Sequence, residues 1–285
     1  MDEFEGKVAV VTGAGSGMGK AFAMRFAAEG MKVVAADIQK DALAQTVQAL
    51  RVRGTEVLGV HTDVSSAESV NELAEATQRE FGDVHLLCNN AGVEGYLDGA
   101  IWEATEKDWA WTVGVNFWSV VHGLKAFLPG MLAHGQPGHV VNTCSMTSVI
   151  AAGNMYAITK QAVIALTEVL ASDLRAREAR IGVTALCPGI IATNLFRGSR
   201  NRPESLRNEG ETPGTHEGRE IRDRLHAALA EGMSPAEVAE KLVQAIRSNS
   251  RYLLTDHAWD HLIIDRHEAI LAGAVGPIDV QGVTR

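Results

Sequence analysis

The sequence predicts a doubly wound α/β sandwich, about seven parallel strands in one sheet with helices on both faces, forming a single domain over residues 1–285. Three observations carry that expectation. Short β-branched runs recur without the polar alternation of a half-exposed sheet, which is the pattern of strands buried on both faces. Longer segments of helical periodicity separate them. A chain of 285 residues, 46% apolar and 21% charged, with no internal repeat and no low-complexity linker, suits one large core.

Taken in order, the strand runs are 7–13, 32–37, 56–64, 84–92, 139–145, 181–189 and 251–256. Amphipathic helices are predicted at 17–29, 41–52 and 67–81, and two longer ones at 105–132 and 154–176. The longer pair carries more apolar residues than a solvent-facing helix needs, so it is expected to help form a subunit interface. From Arg197 to Gly232 the composition turns polar and rich in Gly, Pro and charge, then helical. Such an insert inside a compact domain predicts a substrate lid, assigned to 194–232. Residues 257–285 are expected to form a helical tail.

The first strand runs into Thr12-Gly13-Ala14-Gly15-Ser16-Gly17-Met18-Gly19 and then into a helix. Glycines there permit a tight turn, let backbone N–H groups approach a pyrophosphate, and aim a helix N-terminus at its charge. A phosphate loop of the G-x-x-x-x-G-K-[ST] type fails at Ala14 and Ala21, and G-x-G-x-x-G fails because its third glycine falls on Met18 or Lys20. What remains is T-G-x-x-x-G-x-G, a dinucleotide loop of another register in a Rossmann-type sheet. Asp37 ends the second strand and is followed by Ile38. A carboxylate there accepts hydrogen bonds from the adenosine ribose hydroxyls and repels a 2′-phosphate, so NAD is the expected cofactor. Asp63-Val64, closing the third strand, is expected at the adenine amino group.

Tyr156 and Lys160 lie at i and i+4 on one helix face, downstream of Ser145. A phenol with an ordinary pKa near 10 is a poor base at neutral pH; lowering it by about three units corresponds to roughly 4 kcal/mol. The lysine, a nicotinamide-ribose cation and desolvation are expected to supply that together. Ser145 can hold the substrate oxygen while Tyr156 exchanges its proton.

With these motifs in hand the chain resembles the short-chain dehydrogenase/reductase family from about Lys7 to Asp256. The matching residues are Thr12-Gly13-x-x-x-Gly17-x-Gly19, Asn89-Asn90-Ala91-Gly92, Asn116, Ser145, Tyr156-x-x-x-Lys160, and Pro188-Gly189 with Thr193. The resemblance implies that Asn116 supports a proton-relay water beside Lys160, and that Asn90, Ala91 and Gly92 line the adenosine side of the cleft. It implies further that Ile191 and Thr193 contact the nicotinamide carboxamide, and that Lys160 holds the nicotinamide ribose. Ser145 precedes Tyr156 by eleven residues, which is short for the family. Thr143 would restore the longer spacing, but the run VVNTCS aligns Ser145 as the strand-end serine.

Expected pocket residues are Glu94, Tyr96, Ser145, Met146, Met155, Tyr156, Leu195 and Phe196. Their apolar bodies suit a hydrophobic secondary alcohol or ketone rather than a sugar phosphate. The insert is similar to that of family members acting on bulky aryl or ring alcohols, with hydroxysteroids the next candidate. An NADPH-dependent carbonyl reductase is the rival, and a dinucleotide-binding regulator without chemistry is the alternative of another class.

A formal charge of −9 excludes the basic field that nucleic acid or an anionic membrane requires. The opening residues form no secretory signal, so a cytoplasmic location is expected. Cys88, Cys144 and Cys187 form no CxxC pair and are expected to be buried thiols. His257, His261 and His267 invite a metal reading, but nothing in the sequence completes a site, so no metal is assigned. The resemblance implies a homodimer or homotetramer.

Overall fold

A computed structural model describes residues 1–150, 153–209 and 216–274, without side chains at 216–219. Seven strands form one parallel sheet in the order β3-β2-β1-β4-β5-β6-β7. They are β1 (Val8–Thr12), β2 (Lys32–Asp37), β3 (Val57–His61), β4 (Leu86–Asn89), β5 (Gly138–Thr143), β6 (Ile181–Cys187) and β7 (Tyr252–Leu254). All five residues of β1 and all six of β5 are buried, which is why neither shows polar alternation.

Side chains alternate between two cores. Ala9 and Val11 face a cluster that includes Phe22 and Phe26 of α1 (Gly17–Ala28), Leu43 and Leu50 of α2 (Lys40–Val52), and Leu242 and Ile246 far along the chain. Val8 and Val10 face the other cluster, with Leu73 of α3 (Ala67–Phe81), Phe127 and Leu170. The chain returns to β1 after β3, so strand order reverses between β1 and β4. Loops leaving the carboxyl ends of those two strands diverge and open a crevice, the place where such sheets bind ligands.

The segment predicted as one helix over 105–132 is α4 (Glu106–Val113), a π-helical turn at Gly114–Trp118, and α5 (Ser119–His134). Asn116 lies within that turn; a local π-bulge gives no signature in hydrophobic periodicity. A short α6 (Met146–Val149) precedes α7 (Met155–Ala176), which begins on an Asn154 cap. Residues 151 and 152 of the expected pocket wall lie outside the described residues.

After β6 the chain forms a strap with 3-10 turns at Leu195–Asn201 and Glu204–Leu206, then α8 (His216–Ala230) and α9 (Pro235–Arg247). Residues 210–215 of the expected lid lie outside the described residues, as do 275–285 of the tail. The described part of the tail is a 3-10 turn and α10 (Asp260–Leu271), which packs Trp259 and Ile263 beside Cys144 and Met146. Its histidines bond locally, His257 to Asp260 and His267 to the Ile263 carbonyl. Cys88, Cys144 and Cys187 are buried free thiols. None of the described helices is long and apolar enough to cross a membrane.

Candidate active site

A groove crosses the carboxyl ends of β1, β2 and β4. It is lined by Gly13, Ser16, Gly17, Met18 and Gly19 from the first loop, by Asp37 and Ile38, and by Asp63 and Val64. Asn90, Ala91, Gly92, Tyr156, Lys160, Thr193 and Leu195 complete it, so cofactor residues expected from six separate stretches meet there.

The glycine loop is fitted to its turn by backbone contacts. Gly13 and Gly17 have φ of 68° and 52°, a region that side chains disfavour. A Cβ on Gly19 would lie 2.1 Å from the Gly13 carbonyl oxygen, so the first helical turn can seat against β1 only without a side chain. Thr12 Oγ1 accepts from the backbone N–H groups of Asn90 and Ala91 at 2.9 and 3.1 Å, and Asn90 Nδ2 donates to the Thr12 carbonyl at 2.9 Å. Those bonds weld the loops after β1 and β4.

These residues fit a dinucleotide. Ser16 caps α1 without a side-chain bond and the first turn carries no acid, so no side chain of the helix itself competes with an anion for its opening N–H groups. Asp37 is oriented by Gly15 N and Gln39 N, each donating to a different carboxylate oxygen at 2.8 Å. Asp63 is likewise fixed, its Oδ1 accepting from Ser65 N at 2.9 Å and Ser65 Oγ at 2.6 Å.

At the other end of the groove stand the proton-transfer candidates. Ser145 caps α6, accepts from Thr147 N at 3.2 Å, and shares a hydrogen bond with the Tyr156 phenol. Thr143 sits two residues back in β5, and its carbonyl accepts from Lys160 Nζ at 2.7 Å. The Thr143 hydroxyl donates to Asn90 Oδ1, and the hydroxyl facing the phenol is that of Ser145, two residues past the end of β5 at the start of the four-residue α6. Gly92 makes room for the lysine: a Cβ there would lie 3.3 Å from Nζ. Asn116 Oδ1 accepts from Val93 N at 2.8 Å while its Nδ2 donates to the Val93 carbonyl and Thr159 Oγ1, fixing the π-helical turn beside the lysine.

Electrostatics here correct one step of the sequence argument. Desolvation was counted among the effects lowering the phenol, but burial disfavours the charged phenolate and raises the Tyr156 pKa above its ordinary value. The bond from Ser145 opposes it. Burial acts equally against the ammonium and lowers Lys160 to about 8. Lys160 Nζ stands 5.7 Å from the centre of the Tyr156 ring. A phenolate in this site therefore depends on cations near the oxygen, and desolvation works against it.

Other expected pocket residues sit elsewhere. Met146 and Met155 are fully buried and do not line the groove; Met146 packs with Ala185 and Cys187 of β6 and beside Ile263 of α10. Glu94 is 1% exposed and accepts from Ser199 N at 3.1 Å, so it anchors the strap instead of facing an open pocket; burial raises its pKa. Tyr96 and Phe196 line a neighbouring cavity with Trp111 and Arg222. Pro188 and Gly189 hold the backbone, through bonds from Met146 N and to Thr255 Oγ1, and Ile191 is buried beneath the groove.

Gln39, Arg200 and Asn201 also line the groove, beside Asp37 and Ile38. Ile38 supplies no positive charge, yet the fold brings a guanidinium to that rim from far along the chain. Only the polarity of the 197–232 insert could have hinted at it.

Residues 7–204 match the short chain dehydrogenase family. A crystal structure of a short chain dehydrogenase/reductase from Burkholderia phymatum in complex with NAD superposes with a TM-score of 0.92 at 43% identity, covering 96% of this chain and 98% of that one. The 1-deoxy-11-beta-hydroxypentalenate dehydrogenase of Streptomyces exfoliatus is 39% identical over 67% of this chain and 70% of its own length. The C alpha-dehydrogenase of a Sphingobium species is 32% identical, over 89% and 82%.

Proposed function

Because the chain belongs to the short chain dehydrogenase family and is an oxidoreductase acting on CH–OH groups, we propose that it oxidises a hydrophobic, bulky secondary alcohol with NAD, using Tyr156 as general base. The observation that carries the reading is that Tyr156 and Lys160 line one groove with the glycine loop and Asp37, while Ser145 bonds to the Tyr156 phenol.

NAD, when bound, supplies the acceptor for the hydride that leaves the carbinol carbon. The glycine loop and the start of α1 hold its diphosphate, and Asp37 takes the adenosine ribose hydroxyls. Ser145 Oγ orients the alcohol oxygen. Tyr156 Oη accepts the hydroxyl proton as the C–H electron pair departs, leaving a ketone. Lys160, held by the Thr143 carbonyl, stabilises the phenolate and reaches the nicotinamide ribose, while Asn116 keeps the helix turn that supports a relay beyond it.

The similarity to a 1-deoxy-11-beta-hydroxypentalenate dehydrogenase and a C alpha-dehydrogenase supports a secondary alcohol as substrate. Residues 194–232 act as the substrate-binding segment, and within the 257–285 tail Trp259 and Ile263 brace the wall beside Ser145. Exposed Trp118, Ile158 and Val169 on the long helices fit burial in a homodimer or homotetramer. An NADPH-dependent carbonyl reductase is the second reading, and Arg200 at the ribose rim favours it; the Asp37 carboxylate, immobilised toward the same rim, opposes it.

The experiment is NADH formation over a panel of aryl, polycyclic and aliphatic secondary alcohols, with NAD and NADP in parallel. Turnover with NAD on a bulky ring alcohol is expected. Turnover with NADP alone would overturn the cofactor assignment.

A further inference from the structure

The strap enters the groove at Leu195 and crosses it. Gly198, Arg200, Asn201 and Pro203 line one side, opposite the glycine loop and Asp37. Beyond the groove it is riveted to α4. Arg202 and Asp108 pair at 2.7 Å with side chains 8% and 4% exposed, and the Arg202 guanidinium also lies over the Trp111 ring at 5.3 Å. Thr105 Oγ1 bonds Asn208 at 2.7 Å, and Lys107 Nζ donates to the Arg207 carbonyl at 2.8 Å.

At the opposite rim the contact is lighter. Gln39 follows Asp37 by two residues at the start of α2. With its amide oxygen turned to the strap, it accepts from Arg200 Nε and Nη2, both at 2.7 Å, and from Asn201 Nδ2 at 3.0 Å. Arg200 is exposed and Gln39 half-buried. A neutral acceptor therefore meets a solvated guanidinium, a bond worth far less than the buried Arg202–Asp108 pair. One side of the strap is a fixed hinge and the other a weak catch.

We propose that Gln39 and Arg200 form a latch that closes the strap over the adenosine half of the cofactor and sets how fast the cofactor leaves. The inference rests on the reading of the groove as a dinucleotide site and adds residues whose job is retention, not chemistry. The ribose-facing carboxylate of Asp37 and the latch share one short stretch, since Gln39 N orients Asp37 while its side chain catches the strap. For the cofactor to exchange, the latch opens and the Arg200–Asn201 stretch swings out between the Ser199–Glu94 and Arg202–Asp108 anchors.

The test is stopped-flow displacement of NADH, followed by its fluorescence, from wild type, Gln39→Ala, Arg200→Ala and the double variant. Each single variant is expected to release NADH about fivefold faster, and the double variant no faster than either, because each change breaks the same bond. Arg79→Ala, which cuts an exposed pair with Glu75 on α3 away from the groove, is expected to release NADH at the wild-type rate. Unchanged release in both single variants, or additive effects in the double variant, overturns the latch. Failure of the wild type to bind NADH instead overturns the dinucleotide reading beneath it.

Discussion

The groove has two walls built on opposite principles. The glycine-loop wall is held by backbone atoms, as in Thr12 with Asn90 and Ala91, and by Gly19 seated against the Gly13 carbonyl. The strap wall is held by side chains, most of them charged, such as Arg202 with Asp108 and Ser199 N with Glu94. Backbone packing without side chains leaves no alternative arrangement, so the first wall is preformed. Side-chain bonds between polar groups can be exchanged for water, so the second can come and go. A cleft that must both recognise and release its cofactor needs one wall of each kind.

Breaking the preformed wall is expected to have the largest effect. Gly19→Ala forces its Cβ onto the Gly13 carbonyl, and NADH affinity should fall by more than about 100-fold while the sheet still melts cooperatively. Titration of NADH fluorescence beside a thermal melt separates the two.

Between the walls, Lys160→Met should lower alcohol oxidation at neutral pH by about 100-fold. The sign of its pH effect follows from burial. Both charged forms are disfavoured, so the phenol of the pair ionises on the alkaline side and oxidation climbs with pH. Below about pH 8 the lysine is protonated, so its removal takes away a cation beside the phenol there and moves that limb to higher pH. A limb that stays in place would show that Lys160 acts on the cofactor alone. Strap variants, which do not touch the pair, should keep the wild-type profile.

Breaking the strap anchor should be milder. Arg202→Ala leaves Asp108 its bonds from Thr105, so local order is lost rather than the fold. Hydrogen exchange at the strap amides should quicken by about tenfold, with exchange in β1 and β4 unchanged. Ile38→Arg should have the smallest consequence, raising use of NADP by about fivefold. Asp37 remains fixed by Gly15 N and Gln39 N and continues to repel a 2′-phosphate.

The same division explains what the sequence made legible. Strands β1, β2, β4, β5 and β6 announce themselves because both faces are buried, and the glycine loop because its backbone tolerates few other residues. Ser145 stands two residues past the end of β5 as the cap of α6, a place that a shift of strand boundary by two residues hides in the sequence. The strap is not legible, since Arg202 meets Asp108 ninety-four residues earlier and nothing in either neighbourhood specifies the partner. Met146 and Met155 were read as pocket wall from their apolarity, but apolarity does not tell a pocket from the core. Glu94 was read as a pocket carboxylate, whereas it spends its Oε1 on the strap backbone.

The central claim is that the Tyr156 phenol moves the proton in a site that binds its cofactor independently. The most direct measurement compares wild type with Tyr156→Phe, following NADH formation on whichever alcohol the wild type oxidises and, separately, NADH binding by fluorescence. Turnover lowered by about 1,000-fold or more, with NADH binding within about twofold of wild type, is the predicted result. Substantial residual turnover would contradict the role given to the phenol.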